Sequence, residues 1–229
     1  MNLTPRLQSI VNHVPQGTIC GDIGTDHAYI PIYLIQNKIC PKVIATDVRL
    51  GPLEIARKQI KLAGCEKQIE IRLGSGLKPF KLEEVETIVI AGMGGLLIRD
   101  ILEDSNEITK EIKTFILQPM IAQRELREYL IKNNFKIVEE DLAKEDQRIY
   151  EIIIAVHGPQ RIEKDIYLDI PKFLIENKHS LLIPFIKRKK NELLKIIKHC
   201  EGKHTYNAES KLQECKEKIK KIEEVERCL

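Results

Sequence analysis

Five short apolar runs, each rich in β-branched residues, recur through the first half of the chain with helix-like segments between them. The runs are GTICGDI, KVIATDV, IEIRLGS, TIVIAGM and TFILQPM, and the helix-like segments include GPLEIARKQIKLAG and GGLLIRDILED. Strands that alternate with helices in this way are typical of βαβ units on a parallel sheet. The sequence therefore predicts an α/β fold.

The pattern changes toward the end of this region. The stretch FKIVEEDLAKEDQRIYEIIIAVHG contains two strand-like runs joined by a short polar connection. Such a pair predicts an antiparallel hairpin that closes one edge of the sheet. We place the sheet domain at residues 1–158, and the total of 229 residues leaves room for a smaller second domain.

From residue 159 onward the chain has no strand-like run and shows a helical periodicity. Apolar residues recur at positions 183, 186, 193, 197 and 200, and again between 212 and 229, at spacings of three and four. The polar stretch EGKHTYNAES between these segments would let them fold back on each other. We therefore predict an antiparallel coiled-coil domain over residues 159–229. Because the pairing is explained within one chain, we expect a monomer.

Cysteine usage and hydropathy argue against several classes of protein. The six cysteines form no CxxC pair and have no histidine nearby at zinc-ligand spacing, so we predict neither a metal site nor a disulfide framework. No segment approaches ~18 uninterrupted apolar residues, and the N-terminus has no signal-peptide pattern. We expect a cytoplasmic protein without a membrane segment.

The stretch TICGDIGTDHAYIPIYL reads as a buried strand, a tight turn and the start of a helix, which is a common ligand-binding arrangement. A dinucleotide site favours the pattern GxGxxG. Here Gly24 is present, but Asp26 and Tyr29 occupy the two later glycine positions, and both are poor neighbours for a pyrophosphate. S-adenosylmethionine carries no phosphate, and a carboxylate at Asp22 suits its cationic amino acid end.

The next strand ends also carry suitable chemistry for a nucleoside. Asp47 ends the second predicted strand, where a carboxylate can accept hydrogen bonds from two ribose hydroxyls. Both cofactor classes share that acid, so a nicotinamide-dependent oxidoreductase stays an alternative. The turn Gly74, Ser75, Gly76 is compact enough to lie against an adenine ring, and Gly92 leaves space at the end of the fourth strand.

The motifs DIGTDHAYIP, ATDV, GSGL, IAGMGG and LQP, in this order and followed by a basic helical tail, resemble the bacterial tRNA (adenine(22)-N1)-methyltransferase family, TrmK. The resemblance covers essentially the whole chain. It implies a seven-stranded class I methyltransferase domain, a coiled-coil C-terminal domain and methylation of N1 of an adenine in the D-arm region of tRNA. The residues implied to bind S-adenosylmethionine are Asp22, Gly24, Asp47, Val48, Gly74, Ser75, Gly76 and Gly92.

Three residues of the first turn are candidates for catalysis. Adenine N1 has a free lone pair, so positioning supplies much of the catalysis and no base is needed to create the nucleophile. The product base is cationic, and Asp26 or His27 could stabilise it or remove a proton from N6, while Tyr29 could contact the base. The structural alternatives are helix capping by Asp26 or His27, and packing of Tyr29 against the first helix.

Residues 178–203 contain eight Lys and Arg against two Asp and Glu, an excess that suits an RNA backbone. Within it we assign RNA contacts to Lys187, Arg188, Lys189 and Lys190, against the alternative of a solvated helix face. Arg6 is assigned to the substrate cleft or, alternatively, to the surface. A non-catalytic RNA-binding protein and a small-molecule methyltransferase remain competing functions.

Overall fold

The computed structural model describes residues 1–203 and 205–229, and the chain divides into two compact units. The first unit is Met1–Arg161 and the second is Ile162–Leu229. This division falls three residues after the predicted domain boundary at 158.

The first unit is built on a seven-stranded sheet with the order β3-β2-β1-β4-β5-β7-β6. β1 to β5 are parallel, and β7 and β6 are antiparallel at one edge, as predicted. The strand bounds are β1 Cys20–Ile23, β2 Val43–Asp47, β3 Ile69–Leu73, β4 Thr87–Met93, β5 Thr114–Pro119, β6 Phe135–Glu145 and β7 Arg148–His157.

Helices cover both faces of this sheet, because side chains alternate between the faces along each strand. The helix bounds are α1 Pro5–Asn12, α2 Tyr29–Gln36, α3 Leu50–Leu62, α4 Gly95–Asp104, α5 Asn106–Glu111 and α6 Gln123–Lys132. On one face, Val89 and Ile116 pack in the cluster that contains residues of α1, α2 and α3. On the other face, their neighbours Ile88, Ile90 and Phe115 pack in the cluster that contains residues of α4 and α6.

A buried ion cluster joins α6 to the hairpin. Arg127 is fully buried and donates to Glu140 at 2.7 Å and to Glu151 at 2.8 Å. Burial raises the pKa of Glu140, although Arg127 acts in the opposite direction. Breaking such a buried pair from one side leaves an uncompensated charge, so this cluster fixes how α6 sits on the closing strands.

The second unit is helical, with a short 3-10 helix at Asp165–Leu168, α7 at Lys172–Glu176, α8 at Leu182–Cys200 and α9 at Tyr206–Glu226. α8 and α9 are antiparallel, since Lys190 pairs with Glu226 at 2.7 Å and with Glu223 at 3.3 Å near the end of α9. Their apolar stripes pack together through Ile186, Ile197, Cys215 and Ile222, among others.

Two details of the helical prediction were wrong. Ile183 was placed in the apolar stripe but is exposed, and Leu182 and Phe185 are buried instead. The polar break was predicted at 201–210, yet α9 already begins at Tyr206, because the Thr205 side chain accepts a hydrogen bond from Ala208 N and caps the helix. Within that break, His204 lies outside the described residues.

Candidate active site

The candidate site lies where the strand order of the sheet reverses. β1 is followed in the chain by β2 on one side and has β4 on its other side, so a crevice opens at the carboxyl ends of β1 and β4. In open α/β sheets this is the usual position of a ligand. Two cavities occupy it, and they share the wall formed by Ile23, Gly24, Ala91 and Gly92.

The first cavity, of about 370 Å³, collects residues from the ends of four strands. The predicted cofactor residues that line it are Gly24, Asp47, Val48, Gly74, Ser75, Gly76 and Gly92. The structure therefore brings together seven of the eight residues assigned to the cofactor, although they are spread over almost 70 positions of sequence. The eighth, Asp22, lines the second cavity.

Two glycines in the shared wall adopt backbone conformations that other residues rarely take. Gly24 has φ +79° and Gly92 has φ +76°. A side chain at Gly24 would also collide with the Met93 methyl group. Gly92 lies where the register between β4 and β5 shifts, between Ala91 and Met93. Neither glycine adds a side chain to the wall that the two cavities share.

Asp47 is buried at the end of β2, and its carboxylate contacts the turn that follows this strand. Its Oδ1 accepts a hydrogen bond from Arg49 N at 2.8 Å, and the Arg49 guanidinium lies 3.6 Å away. Of the two carboxylate oxygens, Oδ1 is therefore the one that interacts with Arg49. This arrangement fixes the orientation of Asp47 in the first cavity.

The second cavity, of about 390 Å³, is lined by Asp26, His27 and Tyr29, together with Arg6 and Asp22. The His27 and Tyr29 rings stack with their centroids 5.2 Å apart and an interplanar angle of 10°. Asp26 Oδ2 lies 3.6 Å from His27 Nε2. The cavity thus has a carboxylate, an imidazole and a phenol on one side.

The alternative of helix capping was wrong for both Asp26 and His27. α2 begins after Ala28, which has a left-handed conformation with φ 54°, and no side chain caps the helix. Tyr29 remains 43% exposed, with its ring against His27. These three side chains are consequently available to a ligand in the second cavity.

Asp22 has an altered acidity. Burial raises the pKa of Asp22 to about 6, the nearby Thr25 hydroxyl acts in the opposite direction, and the charge of Asp47 adds to the rise. A cation in the crevice would favour the ionised carboxylate. Asp22 is therefore suited to a ligand that brings a positive charge.

Sequence reasoning missed Gln118, a buried residue near the end of β5. Its side-chain oxygen accepts hydrogen bonds from Arg6 Nη1 at 2.9 Å and from Gly92 N at 3.1 Å. The contact places Arg6 in the cleft rather than on the surface. The LQP motif includes Gln118. A glutamine in a strand, however, does not reveal that its side chain will contact Arg6 in α1, 112 residues earlier in the chain.

In the second unit, the four residues assigned to RNA differ in their surroundings. Lys187 is exposed, whereas Lys190 is engaged by Glu223 and Glu226. Arg188 lies 3.6 Å from Glu192, and both Arg188 and Lys189 lie over the Phe185 ring. Lys195 and Lys198 of α8 are exposed as well, and Lys187 lies on the same side of the helix.

Two kinds of feature are absent from residues 1–203 and 205–229. None of the helices described there is long and apolar enough to cross a membrane. Within the same residues, no group of three or more His, Cys, Asp and Glu side chains is arranged to hold a metal ion.

Comparison with known proteins agrees with this geometry. Residues 3–153 match a family model described as a methyltransferase domain. A Bacillus subtilis tRNA (adenine(22)-N(1))-methyltransferase is 37% identical over 158 residues, which are 69% of this chain and 66% of that protein. The crystal structure of the B. subtilis m1A22 tRNA methyltransferase TrmK is 30% identical, with a TM-score of 0.88 over 98% of both chains. The chain belongs to the tRNA (adenine(22)-N1)-methyltransferase family.

Similarity to the TrmK family includes the C-terminal helices, since the structural match extends over nearly the whole chain. M. capricolum TrmK, solved in complex with S-adenosyl-homocysteine, is 27% identical, with a TM-score of 0.83 over 97% of this chain and 96% of that one. The resemblance read from the sequence motifs is thereby confirmed, as is the Rossmann-like methyltransferase fold.

Proposed function

We propose that this protein transfers the methyl group of S-adenosylmethionine to N1 of an adenine in tRNA, at position 22 in the D-arm region. The observation that carries the proposal is the pair of adjoining cavities at the carboxyl ends of β1 and β4. One contains the residues suited to a nucleoside cofactor, and the other contains the residues suited to an acceptor base. Methyl transfer needs the methyl group and N1 to approach each other directly, so the two sites must adjoin.

The residues at the first cavity offer groups that suit each part of S-adenosylmethionine. The buried Asp47 carboxylate is assigned to the ribose hydroxyls, and the Gly74–Gly76 turn with Val48 to the adenine ring. Asp22, which lines the second cavity next to the shared Ile23 and Gly24, is assigned to the ammonium group, while Gly24 and Gly92 allow a close approach of the backbone. When bound, S-adenosylmethionine supplies an electrophilic methyl group on a sulfonium.

The second cavity is assigned to the target adenine. N1 attacks with its own lone pair, so these residues act mainly by orienting the ring and excluding water. Asp26 and His27 are assigned to stabilise the cationic product base or to accept the N6 proton, and Tyr29 to contact the base. Arg6, held by Gln118, is assigned to the RNA near the base.

Binding of tRNA is assigned in part to the second unit. α8 contains six Lys and Arg residues and one Glu, which favours contact with phosphates. The ion pairs of Lys190 reduce its availability, so Lys187 is the strongest candidate of the predicted group, with Arg188 and Lys189 beside it. We also propose that the protein acts in the cytoplasm as a monomer without a metal ion.

The test is a methylation assay with the purified full chain, S-adenosylmethionine and an unmodified tRNA that has adenine at position 22. The RNA is then digested and its nucleosides are identified by mass spectrometry. We expect 1-methyladenosine from this tRNA and none from a matched tRNA with guanine at that position. Cofactor binding without any methylated nucleoside would contradict the proposal.

A further inference from the structure

The segments that follow β4 and β5 carry four exposed apolar side chains. Leu96 and Leu97 lie in the first turn of α4, and Met120 and Ile121 directly follow β5. We call these four residues the mouth patch. Leu97 also lines the first cavity, and Ile121 is 69% exposed. Met120 Sδ lies 3.5 Å from Gln118 Nε2, and Gln118 also binds Arg6 of the second cavity. The patch therefore adjoins the first cavity through Leu97 and the wall of the second through Met120.

Backbone hydrogen bonds hold the two segments of this patch together. Met120 N donates to Met93 O at 2.7 Å, and Gly95 N donates to Ile121 O at 2.8 Å, so the loop after β5 is hydrogen bonded to the loop after β4. A side chain at Gly95 would collide with the Ala122 carbonyl, and Ala122 itself has φ 56°. The chain thus uses a glycine and a left-handed residue to present Ile121 outward in a fixed position.

The proposed reaction creates a need for such a surface. Adenine N1 lies on the Watson–Crick edge, so the target base must leave its stack before it reacts. A base that moves out leaves the face of its neighbour without a stacking partner. Proteins that unstack bases often supply an apolar side chain to cover that face.

We propose that the mouth patch, with Ile121 at its centre, packs against the nucleobase next to the target adenine when the target is extruded into the second cavity. This inference rests on the proposed function. A nucleobase fits the patch better than a protein partner does, because a stable protein interface buries about 1,200–2,000 Å². Four side chains are far fewer than the roughly 20–30 residues that each side of such an interface contributes.

The test uses the full chain with Ile121→Ser and a tRNA that carries 2-aminopurine in place of the target adenine. Wild type should increase the fluorescence of this base on binding, since extrusion removes its stacking. We expect a clearly smaller increase for Ile121→Ser. With unmodified tRNA, kcat/KM for methylation should fall about tenfold, the loss typical of an incompletely buried large aliphatic side chain.

Matched control variants distinguish an effect of the mouth patch from other effects of the substitution. Ile121→Leu should retain both the fluorescence increase and the methylation rate. Leu62→Ser, at the end of α3 and 81% exposed, should behave as wild type because α3 packs beside β2 and β3, away from the segments that follow β4 and β5. The affinity of Ile121→Ser for S-adenosylmethionine should be unchanged.

Two results would overturn the inference. One is an Ile121→Ser variant that extrudes the base and methylates as wild type does. The other is a variant whose defect is weak binding of S-adenosylmethionine, since the loop would then act through the cofactor cavity. A wild-type protein that makes no 1-methyladenosine would instead overturn the proposed function, while its 2-aminopurine signal would still report on the patch.

Discussion

At the scale of single residues, Asp47 and Asp26 are carboxylates with different surroundings. Asp47 is buried in the first cavity and already holds Arg49 N, whereas Asp26 lies in the second cavity with its side chain 66% exposed. Burial strengthens hydrogen bonds to the charged form of Asp47. The two residues can therefore be separated by experiment.

We expect Asp47→Ala to weaken S-adenosylmethionine binding by about a hundredfold or more, the loss of two charge-assisted hydrogen bonds. Asp26→Ala should bind the cofactor normally and lose methylation activity. Calorimetry measures the affinities, and circular dichroism checks the fold. Unchanged affinity in Asp47→Ala would refute the ribose contact.

Asp22 makes the stability of the folded chain depend on pH. Its pKa is raised from 3.8 to about 6 in the folded chain, so the folded state binds more protons than the unfolded state between these values. The contribution of Asp22 to stability therefore declines as the pH rises from about 4 to 6. Above pH 6, a buried and largely uncompensated carboxylate costs on the order of 3 kcal/mol at most.

We expect Asp22→Asn to raise the Tm of the protein without ligand at pH 8, and this gain to vanish near pH 4. Affinity of the wild type for S-adenosylmethionine should increase as the pH rises through about 6, because the ammonium group favours the ionised carboxylate. Thermal unfolding and calorimetry at several pH values measure both effects. A pH-independent difference in Tm would mean that folding does not raise the pKa of Asp22.

At the scale of elements, α1 is attached to the sheet through polar contacts with β6. Ser9 donates to Asp141 at 2.5 Å, and His13 lies 3.3 Å from Asp141 and 3.4 Å from Glu139. Burial works to lower the pKa of His13, but Asp141 and Glu139 outweigh it and raise the pKa. The same helix carries Arg6 to Gln118, so this attachment positions one wall of the second cavity.

We expect the stability that His13 provides to be fully present below pH 6.5 and to be lost as the pH rises through the raised pKa. His13→Asn should destabilise the protein at pH 6 and have a smaller effect at pH 9. Asp141→Asn, whose amide oxygen still accepts from Ser9, should reduce the same pH dependence, while Glu139 remains beside His13. Denaturant unfolding across this range is the measurement, and parallel pH profiles for wild type and His13→Asn would contradict the assignment.

The elements themselves were largely predictable, because strand runs, turn glycines and helical spacing are local features. All seven strands and the closing hairpin were read correctly. The buried cluster of Arg127, Glu140 and Glu151 was not, since charged residues at strand positions normally face solvent. Likewise no local feature of the sequence indicates that Ala28 adopts a left-handed conformation. Because of this conformation α2 begins after Ala28, and Asp26 and His27 do not cap the helix.

At the scale of the whole molecule, positive charge is concentrated in one element. α8 has six Lys and Arg against one Glu, and α9 has five against six acids. The heptad spacing predicted that the two helices pair, but it did not reveal which lysines the pairing would neutralise. Lys190 is committed to α9, whereas Lys187, Lys195 and Lys198 are exposed.

This difference yields a paired experiment on tRNA binding. Replacing Lys187, Lys195 and Lys198 together by Ala should weaken tRNA binding and reduce the slope of log affinity against log salt by about two to three units, since phosphate contacts release counterions. Replacing Lys216, Lys220 and Lys221 of α9 removes the same charge and should change the slope by less than one unit. Equal losses in both triple variants would mean that net charge alone attracts the RNA, because only a specific contact depends on which helix carries the lysines.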